Sequence, residues 1–404
     1  MANYDFSELE KQYESFDQPM AVIKVNDKEI GTKKRRFILS DVIVDLTSGY
    51  EASTAEFSIF DVYDMGQACF LFEDVKKFIF LGSKVDIYLG YSGSVTAVFT
   101  GVITGVNFLF EKEDIPCIRV TAMDVKGIMM SGSYSRQLMA QNYADAVTEI
   151  LNKTAYEKLK GSEIIKSIQV DDTPDKQRNA SAGGGAGGSG QEQVTDKSIE
   201  MVAESDYEFV VKVAKRNNFE FFTRCGNVYF RKAKSEDTVI MQIGPNTGMT
   251  YFDVSYDLTG LVEKIIVRGM DVAKAKVISS EKKFSNKISQ GNKAKPLLSG
   301  SQKVYIDSTV SSKEEAEDRA DSLMETMSYR YGKLACGIVG LPELQPGYFV
   351  ELSGLGEGAD NKFYINRVRH VLSREGTYET RLEGQAASAG ERDEAGGMGG
   401  GFGL

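Results

Sequence analysis

Apolar and polar residues alternate through much of the first third of the chain, from Met20 to about Ser133. Runs at 42–46, 55–60 and 118–123 place apolar side chains at every second position, the pattern of half-buried strands. Turn residues separate these short runs, which favours a β-barrel or β-sandwich. The same pattern returns from about Val239. The chain is therefore predicted to be mainly β, with α+β insertions.

Helical spacing interrupts the β pattern at a few places. Ser7 with Glu10, and Ser205 with Glu208, have capping-box spacing. The segment after Ser205 is predicted to form a helix followed by a hairpin that turns at Gly226-Asn227. Further helices are predicted at 61–77, 141–160 and 312–328.

These elements group into five predicted parts. They are an N-terminal helical segment (1–19), a first β-barrel (20–133), a small α/β region (134–237), a second β-barrel (238–385) and a flexible glycine-rich tail (386–404). Residues 173–194, rich in glycine, are predicted to be a disordered loop because they offer too little apolar surface to offset the cost of ordering. They lack the lysine and flanking strand of a phosphate-binding loop.

A short pattern occurs twice. Gly82 stands three residues before Val85 in one β run, and Gly347, after Pro346, stands three residues before Val350 in another. Downstream, Val106 and Val120 have the same spacing as Val368 and Leu382. This order of turn, strand, loop and hairpin predicts one small β unit built twice. Two unrelated β domains that share ordinary hairpin signals are the alternative.

Composition narrows the chemistry. The net charge is −10, which argues against general nucleic-acid binding but is compatible with a channel through which nucleic acid slides. Four scattered cysteines and one histidine, His370, disfavour a zinc site or a disulfide scaffold. His370 lies in an alternating strand where an outward polar position is expected, so serine–histidine or cysteine–histidine catalysis is disfavoured. No cofactor or metal is predicted, and no run is long enough to span a membrane.

Two basic segments each leave two interpretations open. Residues 272–303 carry eight lysines and no arginine; they form either a solvated insertion between strands or a surface for an acidic partner. Lys33, Lys34, Arg35 and Arg36 form either a solvated edge or a contact with a neighbouring subunit.

Three segments together resemble a known family. They are ESDYEFVVKVAKRNNFEFF followed by a hairpin, then VSYDLTGLVEKIIVRGMD, then LPELQPGYFVELSGLG with FYINRVRHVLSREGTYETRLEG. In this order they resemble the baseplate hub proteins of contractile tails, that is, the phage late control gene D family and the hub portion of VgrG-like spike proteins. The resemblance covers roughly residues 20–385.

The resemblance implies two tail-tube-like β-barrels per chain and a homotrimeric ring. Three chains with two barrels each present a pseudo-sixfold face, which joins a hexameric tail tube to a trimeric spike. The implied partners are a spike protein, a tail tube or tube-initiator protein, other baseplate subunits, and nucleic-acid or protein cargo in the lumen. The implied location is a phage virion or injection-system particle assembled in the bacterial cytoplasm. A VgrG-type chain would continue into further domains after Gln385, so the spike is expected to be a separate chain. The tail, with Phe402 and Leu404, is expected to reach either the spike or the lumen.

The sequence therefore favours a structural, non-enzymatic hub. A tail-associated cell-wall hydrolase or glycan-binding module is the alternative. It would need a cleft with converging carboxylates.

Overall fold

The computed structural model describes residues 3–30, 37–112, 114–174, 199–271, 274–286, 294–356 and 358–390. Its first part is almost entirely β. The elements are α1 (Phe6–Gln12), a 3-10 turn (Glu14–Phe16), β1 (Pro19–Val25), β2 (Lys28–Ile30), β3 (Ile38–Thr47), β4 (Thr54–Phe60), β5 (Tyr63–Asp64), β6 (Cys69–Phe70), α2 (Phe72–Val75), β7 (Lys84–Tyr91), β8 (Ser94–Leu109), β9 (Cys117–Met123) and α3 (Val125–Met129).

The middle part mixes helices with short strands. It contains β10 (Tyr134–Leu138), α4 (Tyr143–Leu151), a 3-10 turn (Thr154–Tyr156), α5 (Glu157–Gly161), β11 (Ser167–Val170), β12 (Ile199–Glu204), α6 (Asp206–Asn217), β13 (Phe219–Arg224) and β14 (Asn227–Lys232). Its core is separate from that of the large sheet and is formed mainly by α4, α6, β13 and β14.

The last part returns to β structure. It contains β15 (Val239–Ile243), β16 (Met249–Tyr256), β17 (Lys264–Asp271), β18 (Lys276–Lys283), α7 (Ala294–Leu298), β19 (Gln302–Ile306), α8 (Lys313–Ser328), β20 (Gly332–Val339), β21 (Phe349–Leu352), β22 (Asn361–Leu372) and β23 (Tyr378–Ala386). Strands β17–β19 and helix α8 share a third core, and β18 comes from the lysine-rich stretch, which ends within β19.

One large sheet dominates the molecule. Thirteen strands belong to it, and its main path runs β16-β20-β23-β22-β3-β4-β9-β8-β7-β1-β2, with β21 paired to β22 and β15 to β21. Apolar side chains from both the early and the late strands pack into one continuous core. Within the described residues the strand pairing does not close into a barrel. The mainly β prediction is confirmed, whereas the two closed barrels are not seen.

Local signals explain most helix ends. Ser205 accepts a hydrogen bond from the amide of Glu208, and the Glu208 carboxylate accepts one from the Ser205 amide, which completes the predicted capping box. Asn218 ends α6 in the left-handed conformation, with φ 54°. Ser312 caps α8 through the amide of Glu315, so that predicted helix is also confirmed.

Three local predictions were wrong. The N-cap of α1 is Asp5 rather than Ser7, because the Asp5 carboxylate accepts hydrogen bonds from the amides of Ser7 and Glu8. The β13–β14 turn is Cys225-Gly226, one residue early, and both residues have positive φ. The helix predicted at 61–77 is largely the hairpin β5–β6, followed by the single turn α2, because its aromatic residues pack on the sheet surface.

Candidate functional site

Two corners of the large sheet share one hydrogen-bond geometry. The Gly82 amide donates to the carbonyl oxygen of Ile103 at 2.9 Å, and the Gly347 amide donates to that of Ile365 at 2.9 Å. Both glycines have positive φ, 86° and 91°. A side chain at φ near +90° is strained, so each corner needs glycine.

The strands that follow the corners also have matching register. Val85 lies opposite Gly101, and Val350 lies opposite Phe363. Further along, Val106 is the direct cross-strand partner of Val120, and Val368 is the partner of Leu382. The pairs β8–β9 and β22–β23 each contain a register shift, between Ile103 and Gly105 and between Ile365 and Arg367. The repeated sequence positions therefore occupy repeated positions in the sheet.

The second corner has support that sequence reasoning missed. Arg224 Nη2 donates to the carbonyl of Pro346 at 2.9 Å, and Arg231 Nη2 donates to that of Gly347 at 2.6 Å. The Arg224 guanidinium also lies 4.0 Å from the centre of the Tyr348 ring. These arginines come from the β13–β14 hairpin, so the middle part of the chain holds the corner in place. Their positions in an alternating hairpin gave no signal of a contact more than a hundred residues away.

A seam joins the early strands to the late ones. The second half of β22 pairs with β3, placing Val368 opposite Leu46 and His370 opposite Val44. All four side chains are buried. On the other face of the seam, Arg367 holds Asp45 with two hydrogen bonds of 2.7 and 2.8 Å. This pairing makes the two groups of strands one sheet.

His370 is buried at this seam rather than pointing outward as predicted. The apolar side of β22 faces the shared core, and the imidazole is 0% exposed. Its Nδ1 lies 3.1 Å from both the Thr380 and the Tyr378 hydroxyl oxygens. Burial disfavours the charged form and lowers the pKa of His370 to about 3. A neutral, enclosed imidazole is suited to packing rather than to proton transfer near neutral pH.

Tyr13 of the N-terminal segment and Tyr91 of β7 both hold the loop that precedes the second corner. The Tyr13 hydroxyl donates to the carboxylate of Glu343, and the Tyr91 hydroxyl donates to the carbonyl of Gly340 at 2.8 Å. Burial raises the pKa of the Glu343 carboxyl. Residues 340–347 lead into the second corner, so these bonds fix the approach to it.

The outward face of the seam is polar and mixed in charge. Arg119 on β9 and Arg381 and Glu383 on β23 face outward, whereas the residues on either side of each are buried. Arg119 lies 3.3 Å from Glu56 on β4, and Arg381 lies 2.7 Å from Glu379 within β23. Interspersed charges of both signs give a solvated face without a large single-sign field.

Side chains that could ligate a metal ion do not cluster within the described residues. No group of three or more histidine, cysteine, aspartate or glutamate side chains in this part of the chain could hold a metal ion. None of the helices found there is both long and apolar enough to cross a membrane. The predicted contact residues Lys33, Lys34, Arg35, Arg36, Phe402 and Leu404 lie outside the described residues, as does most of the glycine-rich segment at 173–194.

Comparison with solved structures identifies the fold. A tail protein from Neisseria meningitidis superposes with a TM-score of 0.60 at 13% identity, covering 91% of this chain and 96% of that one. The 43 kDa tail protein of a Shewanella oneidensis prophage gives 0.61 at 13% identity, covering 91% and 98%. An Escherichia coli component of the type VI secretion system, similar to bacteriophage tail proteins, gives 0.51 at 11% identity, covering 92% and 77%. The expected likeness to tail hub and VgrG-like proteins is confirmed for the fold.

Sequence comparison adds one family. The model described as the Alg8 N-terminal domain matches residues 156–374, more than half of the chain. The matched range includes the second corner and β22 but not the first corner. No curated protein matches the chain.

Proposed function

The chain belongs to the Alg8 N-terminal domain family, and we propose that it is the structural hub of the baseplate of a contractile phage tail or contractile injection system. The observation that carries this proposal is the repeated geometry of the two corners and of the strands after them. Two like β units in one chain let three chains present six similar units, and six units match a hexameric tube while threefold symmetry matches a spike.

The tail-protein fold supports this proposal, since it extends over more than nine tenths of the chain in three solved structures. In this proposal three copies of the chain form the ring. The ring binds the tube or tube-initiator protein, the spike and the other baseplate subunits. The two β units would each correspond to one tube-like barrel, with strands such as β5 and β6 outside them.

The polar face of the seam fits the wall of a passage. Paired charges such as Arg119 with Glu56 are already neutralised within the chain, so a polyanion finds no strong field to hold it. Cargo would slide past such a wall without lasting contacts. The role is mechanical, and the hub works without turnover of a substrate.

Light scattering across a concentration series, combined with co-purification, tests the proposal. A species of three times 44.5 kDa that retains both a tube protein and a spike protein is the expected result. A protein that captures neither partner from a co-expressed baseplate gene set, whatever its mass, would overturn the hub assignment. Release of sugar or peptide from purified cell wall by the isolated chain would favour a hydrolase instead.

A further inference from the structure

The seam between β22 and β3 has a counterpart that stays open. Strand β8 corresponds to β22, because Val106 and Val368 occupy the same register positions against β9 and β23. The second half of β22 pairs with β23 on one side and with β3 on the other. The second half of β8 pairs with β9, but within the described residues no strand lies along its other side beyond Val102.

Strand β16 corresponds to β3 in the same way. Val44 lies opposite Ala55 in β4, and Ala55 lies opposite Ala122 in β9. Val254 lies opposite Leu334 in β20, and Leu334 lies opposite Gly384 in β23. Ala122 and Gly384 each stand two residues after the matched pair Val120 and Leu382, so Val254 matches Val44. Strand β16 ends the path of the large sheet, and among the described residues no strand pairs with its second edge.

Both open edges carry apolar side chains where the closed seam buries its own. His370 and Leu372 are 0% and 8% exposed. The matching Phe108 and Phe110 contact rings of the β5–β6 hairpin and of α2 but remain 46% and 57% exposed. On the partner strand, Val42 is 1% exposed, whereas the matching Phe252 is 44% exposed. An open strand edge with large apolar side chains is a template for pairing with another chain.

We propose that β8 of one copy of this chain pairs antiparallel with β16 of a second copy, repeating between chains the seam that β22 and β3 form within one. Transfer of the closed register places Phe108 opposite Val254, Asn107 opposite Ser255 and Phe110 opposite Phe252 of the second copy. The second copy is the occupant because the chain already contains the matching pair of edges, one of each kind.

Such a contact is heterologous, since each copy offers β8 to one neighbour and β16 to the other. Contacts of this kind close into rings when the rotation allows it. The inference therefore names the surface through which the proposed hub ring closes, and its ring size of three rests on the proposed function. The strand pairing itself rests only on the register and exposure of the two edges.

Paired cysteines test the register directly. In a Cys69→Ser background, which removes the exposed cysteine, the variant Asn107→Cys/Ser255→Cys places two cysteines at directly opposed positions. Opposed residues of an antiparallel pair are about 5 Å apart, within disulfide reach. The matched control is Asn107→Cys/Asp253→Cys, which keeps the same face of β16 but lies two residues out of register, at about 7–8 Å. Many strands separate β8 from β16 within one chain, so any cross-link joins two copies.

We expect mild oxidation to give covalent dimers and trimers of the first variant that reductant reverses, with at least about fivefold less product from the control. Equal cross-linking of both variants would overturn the register. Trimers in light scattering without cross-linking would overturn the pairing and leave the hub proposal standing. A chain that stays monomeric and uncross-linked at the highest soluble concentration would also overturn the pairing, and the hub proposal would then depend on tube and spike capture alone.

A second pair of variants separates association from folding. Phe252→Arg should weaken self-association at least about tenfold in sedimentation, because it places a charge in the apolar contact opposite Phe110 of the neighbouring copy, at a side chain that is 44% exposed in the single chain. Ile115→Arg changes a side chain that is 55% exposed but lies off the strand, and it should leave association within about twofold. If both variants melt like the parent chain and associate equally well, the inference fails.

Discussion

Arg367 and Asp45 lie 322 positions apart in sequence and form a bidentate ion pair across the seam, with N–O distances of 2.7 and 2.8 Å. The pair lies on the polar face, where the Arg367 side chain is 50% exposed and the Asp45 side chain 18%. A half-exposed pair contributes modestly to stability, and two parallel hydrogen bonds place it at the upper end of the usual range.

We therefore expect a double-mutant cycle with Arg367→Met and Asp45→Asn to give a coupling energy of about 0.5–1 kcal/mol in urea denaturation. The matched control is Arg381→Met with Glu379→Gln, an exposed pair within one strand. That pair crosses no seam and should couple more weakly. Equal coupling in both cycles would mean that the seam pair adds no specific stability.

The same substitution at the two corner glycines should lower the free energy of unfolding by different amounts. Gly82→Ala should cost about 1 kcal/mol, since φ 86° strains any side chain but a Cβ there meets no atom within 4 Å. Gly347→Ala should cost about 2–3 kcal/mol, because its Cβ would also lie 3.0 Å from Arg224 Nη2, Arg231 Nη2 and Phe222 Cζ. Urea denaturation of both variants measures the difference. Equal losses of stability in the two variants would show that Arg224 and Arg231 move aside without an energetic penalty.

Replacement of Lys126 by a neutral side chain should strongly destabilise the folded chain. Its side chain is 0% exposed, and its Nζ donates to the carbonyl oxygens of Gly49 at 3.2 Å, of Phe221 at 3.3 Å and of Glu51. Asp124 Oδ2 lies 4.0 Å away. Lys126→Met should therefore cost about 3–5 kcal/mol, because it leaves a buried carboxylate and three carbonyls without their cation.

Burial also lowers the pKa of Lys126, but the neighbouring Asp124 carboxylate favours the charged form. The double variant Lys126→Met/Asp124→Asn should recover part of the loss, since no buried charge then remains. If the double variant is as unstable as the single one, the loss of stability comes from the three unpaired carbonyl groups and not from the Asp124 carboxylate.

Burial of His370 should make the stability of the folded chain depend on pH, and the sign of this dependence follows from its pKa. Its pKa is about 3 in the folded chain and about 6.5 when unfolded. Between these values the unfolded chain binds the additional proton, so stability falls as pH drops from about 6.5 towards 3. The slope from this group is at most about 1.4 kcal/mol per pH unit.

Urea denaturation at several pH values should show a smaller slope in His370→Gln than in the parent chain. Glu343, whose pKa burial raises, contributes a slope of opposite sign, so the difference between the two proteins is the quantity to measure. Identical slopes would contradict a neutral, enclosed imidazole.

The sequence predicts the repeated corner because its signals are local. Glycine three residues before valine, and the equal spacing of Val106–Val120 and Val368–Leu382, correspond to real cross-strand partners. The capping box at Ser205 is equally local and is confirmed, as is the helix predicted at 312–328. The error at 61–77 has a tertiary cause, since rings such as Phe70 and Phe72 pack edge-on against Phe108 instead of forming a helix face.

The pairing of β22 with β3, and the arginines that hold the second corner, could not be predicted from local sequence signals. Alternation along β22 shows which residues are buried but not that β3, more than three hundred residues earlier, covers half of that strand. The outward assignment of His370 was wrong for another reason: it followed the polar character of the side chain, whereas alternation places His370 on the same face as Val368 and Leu372. Arg224 and Arg231 look like ordinary charged positions of a hairpin until the corner that accepts their hydrogen bonds is in place.

Joining β22 to β3 within one polypeptide also changes how a ring assembles. In the proposed closed ring of three copies, three of the six seams would form when each chain folds, in a first-order step that does not depend on concentration. Only the other three require collisions between subunits. Dilution would therefore act on half of the seams in the proposed ring, and three linked pairs would assemble at a lower protein concentration than six separate units.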